Sequence, residues 1–401
     1  IYTGEDTLSL HDALPIYNYL ITEYWLIDQY IGDTLLTWGV NGSGQLGDNT
    51  ISTRLSPITT FAGGTNWKSV VAGYNHSVAI KTDGTLWTWG SNSQGQLGDN
   101  TTPNRSTPVT TFSGGTNWKQ VASGYRYTAA IKTDGTLWSW GIGSNGNLGN
   151  NTEVVVNRTP VTTFAGGSDW KQVSCGQYHT VAIKTDGTLW TWGLGTSGQL
   201  GNNVAGNIST PVTTFAGGTN WKQVSCGYRF TVAIKTDGSL WGWGINTAGQ
   251  LGLNNVLTQR ITPVTTFAGG TNWKQVAGGN NFTAAIKTDG TLWTWGSNSF
   301  ATLGDNTTTG RSTPVTTFAG GTNWKQVACA NIHTAAIKTD GTLWIWGSNV
   351  NGQLGDGSGF NRSTPVTTFA GGTNWKQVLC NSFASHTAAV TSGTDPTYFI
   401  S

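Results

Sequence analysis

Methionine is absent from the 401 residues of this chain, and charged residues make up only 10% of them, against about 25% in an average globular domain. Because no methionine occurs, no initiator residue lies within the chain, and we expect the native N-terminus to precede it. Gly, Thr, Asn and Trp are abundant instead, so the surface depends on neutral hydrogen-bonding groups. This composition leaves the location of the protein open, but it favours an extracellular, cell-surface or virion protein over a cytosolic enzyme.

Long apolar runs and clustered positive charge are also missing. No stretch approaches the ~20 apolar residues of a membrane-spanning helix, so we expect no membrane span. The formal net charge is +2, and all 13 lysines occupy positions of a repeat. The repeat spreads them around the molecule, whereas nucleic-acid binding requires a basic stripe. We therefore do not expect a nucleic-acid partner.

The 4 cysteines fit neither a zinc site nor a disulfide framework. No Cys-x-x-Cys pair is present, and equivalent positions on successive repeats are expected to lie too far apart for a disulfide bond. Their shared repeat position holds Cys175, Cys226, Cys329 and Cys380, and elsewhere Ala72, Ser123 and Gly278. We interpret it as a buried site for a small residue, and we expect neither a metal nor another cofactor.

The ends of the chain do not follow the pattern of the rest. Residues 1–16 lack the basic and apolar regions of a signal peptide, and the run 7–16 resembles the translation of a short-read sequencing adapter. A disordered native leader is the alternative. Residues 17–33 follow no period and stay unassigned, as an extra strand, a cap or a damaged region, and residues 391–401 form a C-terminal tail.

Two tryptophan ladders organise the residues between these ends. The second tryptophan of Leu-Trp-x-Trp-Gly recurs at steps of 51 or 52 residues from Trp38 to Trp346, and the tryptophan of Asn-Trp-Lys recurs in step from Trp67 to Trp375. One period, taken from Arg105, predicts strands over 109–112, 117–122, 127–132 and 136–140, with a hairpin turn at Asp134. A period near 50 residues with four short strands is typical of a β-propeller blade.

The strand count predicts how the ring closes. Seven Asn-Trp-Lys strands, one of them with Asp169 in place of the asparagine, and seven Trp-Gly strands are present. The first Trp-Gly strand, 34–38, precedes every other element, and the last set, 364–390, ends without one. We therefore predict an all-β fold, a seven-bladed β-propeller of four-stranded antiparallel blades over residues 34–390. Residues 35–38 supply the missing fourth strand beside 386–390, which leaves no open sheet edge. Trp138 and Trp140 share one face of their strand and are expected to seal one blade against the next.

Four motifs carry a family resemblance over about residues 34–390. Leu-Trp-x-Trp-Gly, Gly-Gln-Leu-Gly-Asp, Arg-Ser-Thr-Pro-Val and Gly-x-x-His-Thr-x-Ala-Ile resemble the repeats of the regulator of chromosome condensation family, and we expect a bacterial or phage type member. The resemblance implies a seven-bladed propeller whose faces bind other proteins. The founding member is a guanine nucleotide exchange factor that relies on a wedge-like insertion, which no repeat here carries. Plant ultraviolet photoreceptors of the family have Gly-Trp-Arg-His-Thr, whereas tyrosine follows the glycine at Tyr125 and Tyr228, so light sensing is not carried over.

Two motifs that could carry chemistry are interpreted as structural. Residues 141–146 and 193–198 read Gly-x-Gly-x-x-Gly, but phosphate binding would require a helix to begin there, and none is predicted. Histidine shares one repeat position with Tyr and Phe, at His76, Tyr127, His179, Phe230, Phe282 and His333, with His386 in a version two residues longer. A position that accepts Phe does not need proton transfer or a metal.

Arginine and aspartate recur together in the repeat. Arginine stands shortly before the proline at Arg54, Arg105, Arg158, Arg260, Arg311 and Arg362, and aspartate follows Leu-Gly in four of those units, at Asp48, Asp99, Asp305 and Asp356. Ion pairs within a blade are one interpretation. An anion-binding ring of arginines is the alternative.

The residues before the third predicted strand of each period differ from repeat to repeat and mix tyrosine with arginine, which are enriched at binding hot spots. The candidate binding residues are Tyr74, Asn75, Tyr125, Arg126, Tyr178, Tyr228, Arg229 and Asn281. Since no catalytic constellation stands outside the repeat, we expect a non-enzymatic, monomeric propeller that binds a protein, or serves as a scaffold, through one face. A guanine nucleotide exchange factor for a small GTPase is the alternative, and a surface glycan-binding module is the second alternative.

Overall fold

A computed structural model describes residues 32–152 and 156–393. These residues form 28 β-strands in seven four-stranded antiparallel sheets, so the predicted seven-bladed propeller is confirmed. Residues 1–16, and 17–31 of the unassigned leader, lie outside the described residues, and the predictions for them stay predictions. No helix in the described ranges is long and apolar enough to cross a membrane.

Each blade has an inner, a second, a third and an outer strand. The inner strands are β3 (Trp67–Ala72), β7 (Trp118–Ser123), β11 (Trp170–Cys175), β15 (Trp221–Cys226), β19 (Trp273–Gly278), β23 (Trp324–Cys329) and β27 (Trp375–Val378). The second strands are β4 (His76–Lys81), β8 (Tyr127–Lys132), β12 (His179–Lys184), β16 (Phe230–Lys235), β20 (Phe282–Lys287), β24 (His333–Lys338) and β28 (His386–Thr391).

The other two strands carry the Trp-Gly motif and the proline. The third strands are β1 (Thr34–Gly39), β5 (Leu86–Gly90), β9 (Leu137–Ile142), β13 (Leu189–Gly193), β17 (Leu240–Ile245), β21 (Leu292–Gly296) and β25 (Leu343–Gly347). The outer strands are β2 (Arg54–Thr59), β6 (Arg105–Thr110), β10 (Val156–Thr162), β14 (Ile208–Thr213), β18 (Gln259–Thr265), β22 (Arg311–Thr316) and β26 (Arg362–Thr367). Blades are numbered 1 to 7 from the one that begins with β3.

The grouping of strands into blades differs from the predicted period. The predicted period groups the strand after Arg105 with the Asn-Trp-Lys strand that follows it in the chain. In the structure, the strand at Arg105, β6, pairs instead with β5, the Trp-Gly strand that precedes it. It also begins at Arg105 and ends at Thr110, earlier than the predicted 109–112. The loop 91–104 reverses the chain so that β6 lies beside β5. This pairing places the proline at position 108 in the outer strand, at the edge of the sheet, where proline is tolerated.

The predicted closure of the ring is confirmed. Strand β1 pairs antiparallel with β28 from Thr34↔Thr391 to Gly39↔His386, and the sheet of blade 7 has the order β2-β1-β28-β27. Because the outer strand belongs with the strand before it, the N-terminal part supplies two strands of blade 7. The added Trp-Gly strand is the third in its sheet.

The tryptophans of the third strand seal neighbouring blades, as predicted. The indole Nε1 of Trp140 in blade 2 donates to the Gln96 carbonyl of blade 1, 3.0 Å away. Trp140 shares a buried cluster with Val78 and Ile80 of blade 1, and Trp138 packs against that cluster. Gly98 has a φ of +68°, and a Cβ there would lie 2.7 Å from the Trp140 Nε1. Glycine is therefore required after the leucine of each Leu-Gly pair, because the indole of the next blade leaves no room for a side chain there.

The inner strands surround a central cavity of about 160 Å³. Glutamine side chains join one inner strand to the next: Gln120 Nε2 donates to the Val173 carbonyl at 3.3 Å, and Val173 N donates to Gln120 Oε1 at 3.1 Å. The same exchange recurs along the following blades. The cysteines at the shared position are unbridged, and Cys175, Cys226 and Cys329 are buried, which agrees with a site for a small residue.

Candidate binding face

The candidate residues occupy the turns between inner and second strands, which all emerge at one end of the propeller. We call this end the tyrosine face, and it is defined by the turns that carry Tyr74, Tyr125, Tyr178 and Tyr228. The opposite end, the hairpin face, carries the Asp-Gly turns between second and third strands, for example at Asp83. Each tyrosine turn is closed by the hydrogen bond that Gly73 N donates to the His76 carbonyl at 2.8 Å, or by its equivalent.

The four tyrosines are half-buried and lie around the mouth of the central cavity. The ring centroids of Tyr74 and Tyr125 are 4.5 Å apart, and those of Tyr125 and Tyr178 are 5.6 Å apart. Burial, and then the neighbouring Tyr125, raises the pKa of Tyr74 and of Tyr178, so both hydroxyls stay neutral donors at ordinary pH. The structure thus brings tyrosines of three successive blades into one aromatic surface.

Both candidate arginines lie over tyrosine rings. The guanidinium carbon of Arg126 is 4.9 Å from the Tyr125 ring centroid, and that of Arg229 is 5.2 Å from the Tyr228 centroid. Arg229 Nε also donates to Gln177 Oε1 at 3.0 Å. Such contacts hold the cations in place before any ligand binds, which reduces the entropy lost on binding.

Asn381 lines the central cavity and Phe383 packs beneath the tyrosines, and neither is among the candidate residues identified from the sequence. Phe383 is 4% exposed, and its ring centroid lies 5.6 Å from that of Tyr125 and 5.4 Å from that of Tyr228. Asn381 Nδ2 donates to the carbonyls of Ser123 and Cys175. A segment of blade 7 therefore crosses the mouth to blades 2 and 4. The signal was the turn before His386, which is two residues longer than its equivalents.

Asn281 lies apart from the tyrosines, in an amide-rich part of the face. Asn281 Nδ2 donates to Asn280 Oδ1 at 2.8 Å, and Asn280 Nδ2 donates to Asn331 Oδ1 at 2.6 Å. These side chains and Phe300 line a cavity of about 180 Å³. Asn75 is half-buried beside Tyr74, and its carbonyl accepts a hydrogen bond from Ser91 N at 2.7 Å. The eight candidates thus share one end of the molecule, with aromatic and amide sectors.

Family models match almost all of the described chain. The model of the RCC1-like domain matches residues 31–272, and the model of the regulator of chromosome condensation (RCC1) repeat matches residues 289–337 and 340–390. A second model of that repeat matches residues 273–301 and 324–353. The chain belongs to the regulator of chromosome condensation repeat family. The family prediction is therefore confirmed.

Two curated relatives illustrate the range of this family. The ultraviolet-B receptor UVR8 of Arabidopsis thaliana is 32% identical over 340 residues, which are 83% of this chain and 77% of that protein. The E3 ubiquitin-protein ligase HERC2 of Mus musculus is 27% identical over 371 residues, but the match covers 8% of that protein. Both relatives are eukaryotic, and they do not support the predicted bacterial or phage type.

Solved structures agree with the fold. Human WBSCR16 superimposes with a TM-score of 0.79 at 22% identity, over 92% of this chain and 100% of that one. Prp20p from Saccharomyces cerevisiae superimposes with a TM-score of 0.78 at 19% identity, over 93% and 95% of the two chains. At such identities the likeness concerns the propeller alone.

The histidines within the described ranges are interior residues. His179 is buried, and its Nε2 lies 3.1 Å from the Thr231 hydroxyl of the next blade. Burial lowers the pKa of His76 to about 4 and that of His179, His333 and His386 to about 3. Neutral rings that link blades account for all four, as the variation with Tyr and Phe indicated.

The remaining motifs are also structural in the described residues. Gly146 has a φ of +75°, and a Cβ there would lie 2.6 Å from the Ser209 Cα of the next blade, so the glycines of 141–146 serve blade packing. Four of the six repeat arginines pair with the aspartate of their own blade. No group of three or more His, Cys, Asp or Glu within 32–152 and 156–393 could hold a metal ion.

Proposed function

We propose that this chain is a non-enzymatic, monomeric propeller that binds a protein partner on the tyrosine face. The observation that carries the proposal is the half-buried cluster of tyrosines and arginines that packs on the buried ring of Phe383. Such a cluster offers aromatic area with little side-chain entropy to lose, and two cations already held in position. The described histidines are interior, so none of them is placed at this face to act as a general acid or base.

Two further observations support a protein partner. Tryptophans and valines of the framework scarcely vary from blade to blade, whereas the tyrosine turns differ in almost every blade, as expected of a surface where each blade makes its own contact. The yeast propeller Prp20p is described by its binding properties to Gsp1p and histones. That description belongs to Prp20p, and it is consistent with protein recognition by a fold of this kind.

Peptide display tests the proposal without knowledge of the natural partner. Peptides would be selected against the wild-type propeller and their affinity compared with a variant that carries Arg126→Ala, Tyr178→Ala and Arg229→Ala. Tyr125 and Tyr228 stay intact because they pack on Phe383. We expect at least a tenfold weaker affinity, since true hot spots cost about 1 kcal/mol or more each, and an unchanged melting temperature.

The matched control replaces exposed rings at the hairpin end, Phe164→Ala with Phe215→Ala. This control should bind the selected peptides as the wild type does. Equal binding by the tyrosine-face variant would show that the partner lies elsewhere. Release of labelled GDP from a small GTPase by the wild-type chain would replace the proposal with the exchange-factor alternative.

The amide sector favours a glycan as a second candidate ligand. The cavity of about 180 Å³ joins Asn280, Asn281 and Asn331 to the half-exposed ring of Phe300. Amides that donate and accept hydrogen bonds beside an aromatic ring suit a sugar, which presents hydroxyls around an apolar face. A glycan array should then give signals that Phe300→Ala removes and Phe164→Ala retains, and an array without signals would reject this candidate.

A further inference from the structure

The outer edge of four blades carries the same buried carboxylate and arginine pair. The distance between the arginine Nη2 and the aspartate Oδ2 is 2.8 Å for Arg54 and Asp48, and 3.1 Å for Arg105 and Asp99. The pairs of blades 5 and 6 repeat these distances. The aspartate side chains are only 5–7% exposed, and an asparagine and a hydroxyl residue of the same loop, threonine in three blades and serine in blade 6, also donate to each.

Blade 4 keeps the arginine but lacks the aspartate. Leu253 stands where Asp99 stands in blade 1, and Arg260 stands where Arg105 stands. Arg260 has no ion pair or side-chain hydrogen bond with any residue of the described ranges, and its Nε is buried without a partner. A buried guanidinium N–H without an acceptor is costly. The position therefore favours a carboxylate from outside the chain.

A cavity lies beside this arginine. It has a volume of about 300 Å³ and is lined by Leu253, Asn255, Arg260, Val264 and Phe267, together with the threonines 265 and 266. Phe267, which follows the outer strand, is 65% exposed, and Val256 and Leu257, which precede that strand on the loop of Leu253, are 61% and 49% exposed. The site thus combines one unpaired cation with an apolar wall that water covers in the free protein.

We propose that this cavity binds an apolar carboxylate, a carboxyl group attached next to a hydrophobic side chain. The forked N–H groups of Arg260 would donate hydrogen bonds to the carboxylate of the ligand. That carboxylate would take the place of the aspartate that blades 1, 5, 6 and 7 supply themselves. Phe267 and Leu253 would cover the apolar group. Such a group occurs at the C-terminus of a peptide that ends in an apolar residue, and at an internal acidic residue beside one.

The site does not depend on the tyrosine face. Arg260 is the second residue of the outer strand of blade 4, whereas the tyrosines stand in the turns between inner and second strands. The proposed protein-binding function and this site can therefore succeed or fail separately.

Titration with small probes tests the site. The probes are N-acetylphenylalanine, its neutral amide, and the acetylated amide of the dipeptide Glu-Leu, with binding followed by saturation-transfer NMR and calorimetry. We expect the acid to bind at least tenfold more tightly than its amide. Preference for N-acetylphenylalanine over the dipeptide would indicate a C-terminal carboxylate, and the reverse preference an internal acidic residue.

Four variants decide the result. Arg260→Gln should remove binding of the acid, and Leu253→Asp should also remove it, because the new carboxylate would pair with Arg260. Arg311→Gln, in a blade with an internal pair, is the matched control and should bind as the wild type does. Asp305→Leu recreates the blade 4 pattern in blade 5 and should raise the stoichiometry toward two. Equal affinity for acid and amide, or undiminished binding by a folded Arg260→Gln variant, would overturn the proposal.

Discussion

At the residue scale, the buried histidines connect blade packing with pH. His179 is neutral in the folded chain because its burial lowers the pKa to about 3, whereas a histidine in the unfolded chain has a pKa of about 6.5. The unfolded state therefore takes up protons below about pH 6.5 that the folded state does not. The stability that these histidines contribute is complete above that pH, and it is lost as the pH falls toward the folded-state values.

We predict that the free energy of unfolding is nearly constant between about pH 7 and 8 and falls between about pH 6.5 and 4.5. Each of the four described histidines adds a slope of up to about 1.4 kcal/mol per pH unit. His179→Phe, which copies Phe230 of the next blade, should reduce the slope by about one quarter in denaturant titrations at several pH values. The lowered pKa values of the paired aspartates, such as Asp99, matter only below this window.

Tyr127→Phe is the matched control for this prediction. Tyr127 occupies the same repeat position, and its hydroxyl donates to the His179 carbonyl at 2.6 Å. Burial raises its pKa well above the ordinary value, so it does not titrate in the window, and its loss should lower stability equally at every pH. An unchanged slope in the histidine variant would contradict the assignment.

At the element scale, the closure of blade 7 determines whether the ring stays shut. Strands β1 and β28 come from the two ends of the propeller, so their pairing closes a loop that contains nearly the whole fold. The corresponding pair in blade 1, β4 and β5, is joined by a hairpin. The same local geometry therefore closes a very long loop in one blade and a short one in another.

A disulfide between residues 34 and 391, made by Thr34→Cys and Thr391→Cys, should stabilise the propeller. These residues are directly paired, and a long cross-linked loop removes much entropy from the unfolded chain, about 2–4 kcal/mol in typical cases. The control, Lys81→Cys with Thr85→Cys, cross-links the equivalent residues of blade 1, where Lys81 N donates to the Thr85 carbonyl at 3.0 Å. Melting temperatures of oxidised and reduced forms should separate more for the first pair. Equal shifts would show that the closure does not limit stability.

At the scale of the whole molecule, one segment of blade 7 joins blades that are distant in sequence. Asn381 N donates to the Ala72 carbonyl of blade 1 at 2.8 Å, and Phe383 packs on tyrosines of blades 2 and 4. The segment also makes the ring asymmetric, because no other repeat carries the longer turn. We infer that it supports the tyrosine face as well as the ring.

Phe383→Ala should lower the free energy of unfolding by about 3 kcal/mol or more, as expected for a buried Phe whose removal leaves a cavity. Phe112→Ala is the matched control, since that ring is 66% exposed, and it should change stability by no more than about 0.5 kcal/mol. Chemical denaturation of both variants measures the difference. Similar values for the two would show that the mouth is not a packed part of the core.

Much of the candidate site was accessible from the sequence because it recurs at one position of a repeat. Tyr74, Tyr125, Tyr178 and Tyr228 occupy one repeat position, so a ring symmetry brings them to one end. Phe383 was not predicted, because a longer turn in the last repeat does not reveal that the extra residues cross the cavity. The unpaired state of Arg260 likewise required the pairs of other blades as a reference.

The sequence by itself determined the number of blades and the closure by an N-terminal strand, because both depend on counting a local pattern that repeats every 51 or 52 residues. The motifs of that pattern carried the resemblance to the family. Only the tertiary structure decided that the strand at Arg105 joins the Trp-Gly strand before it, since the sequence also allows that strand to join the Asn-Trp-Lys strand after it. It also decided where Phe383 lies and which arginine lacks an acceptor. The position of Phe383 depends on contacts between blades across the ring, and the other two features depend on how strands and loops meet within a blade. A periodic sequence carries the same local signal whichever way such contacts are made.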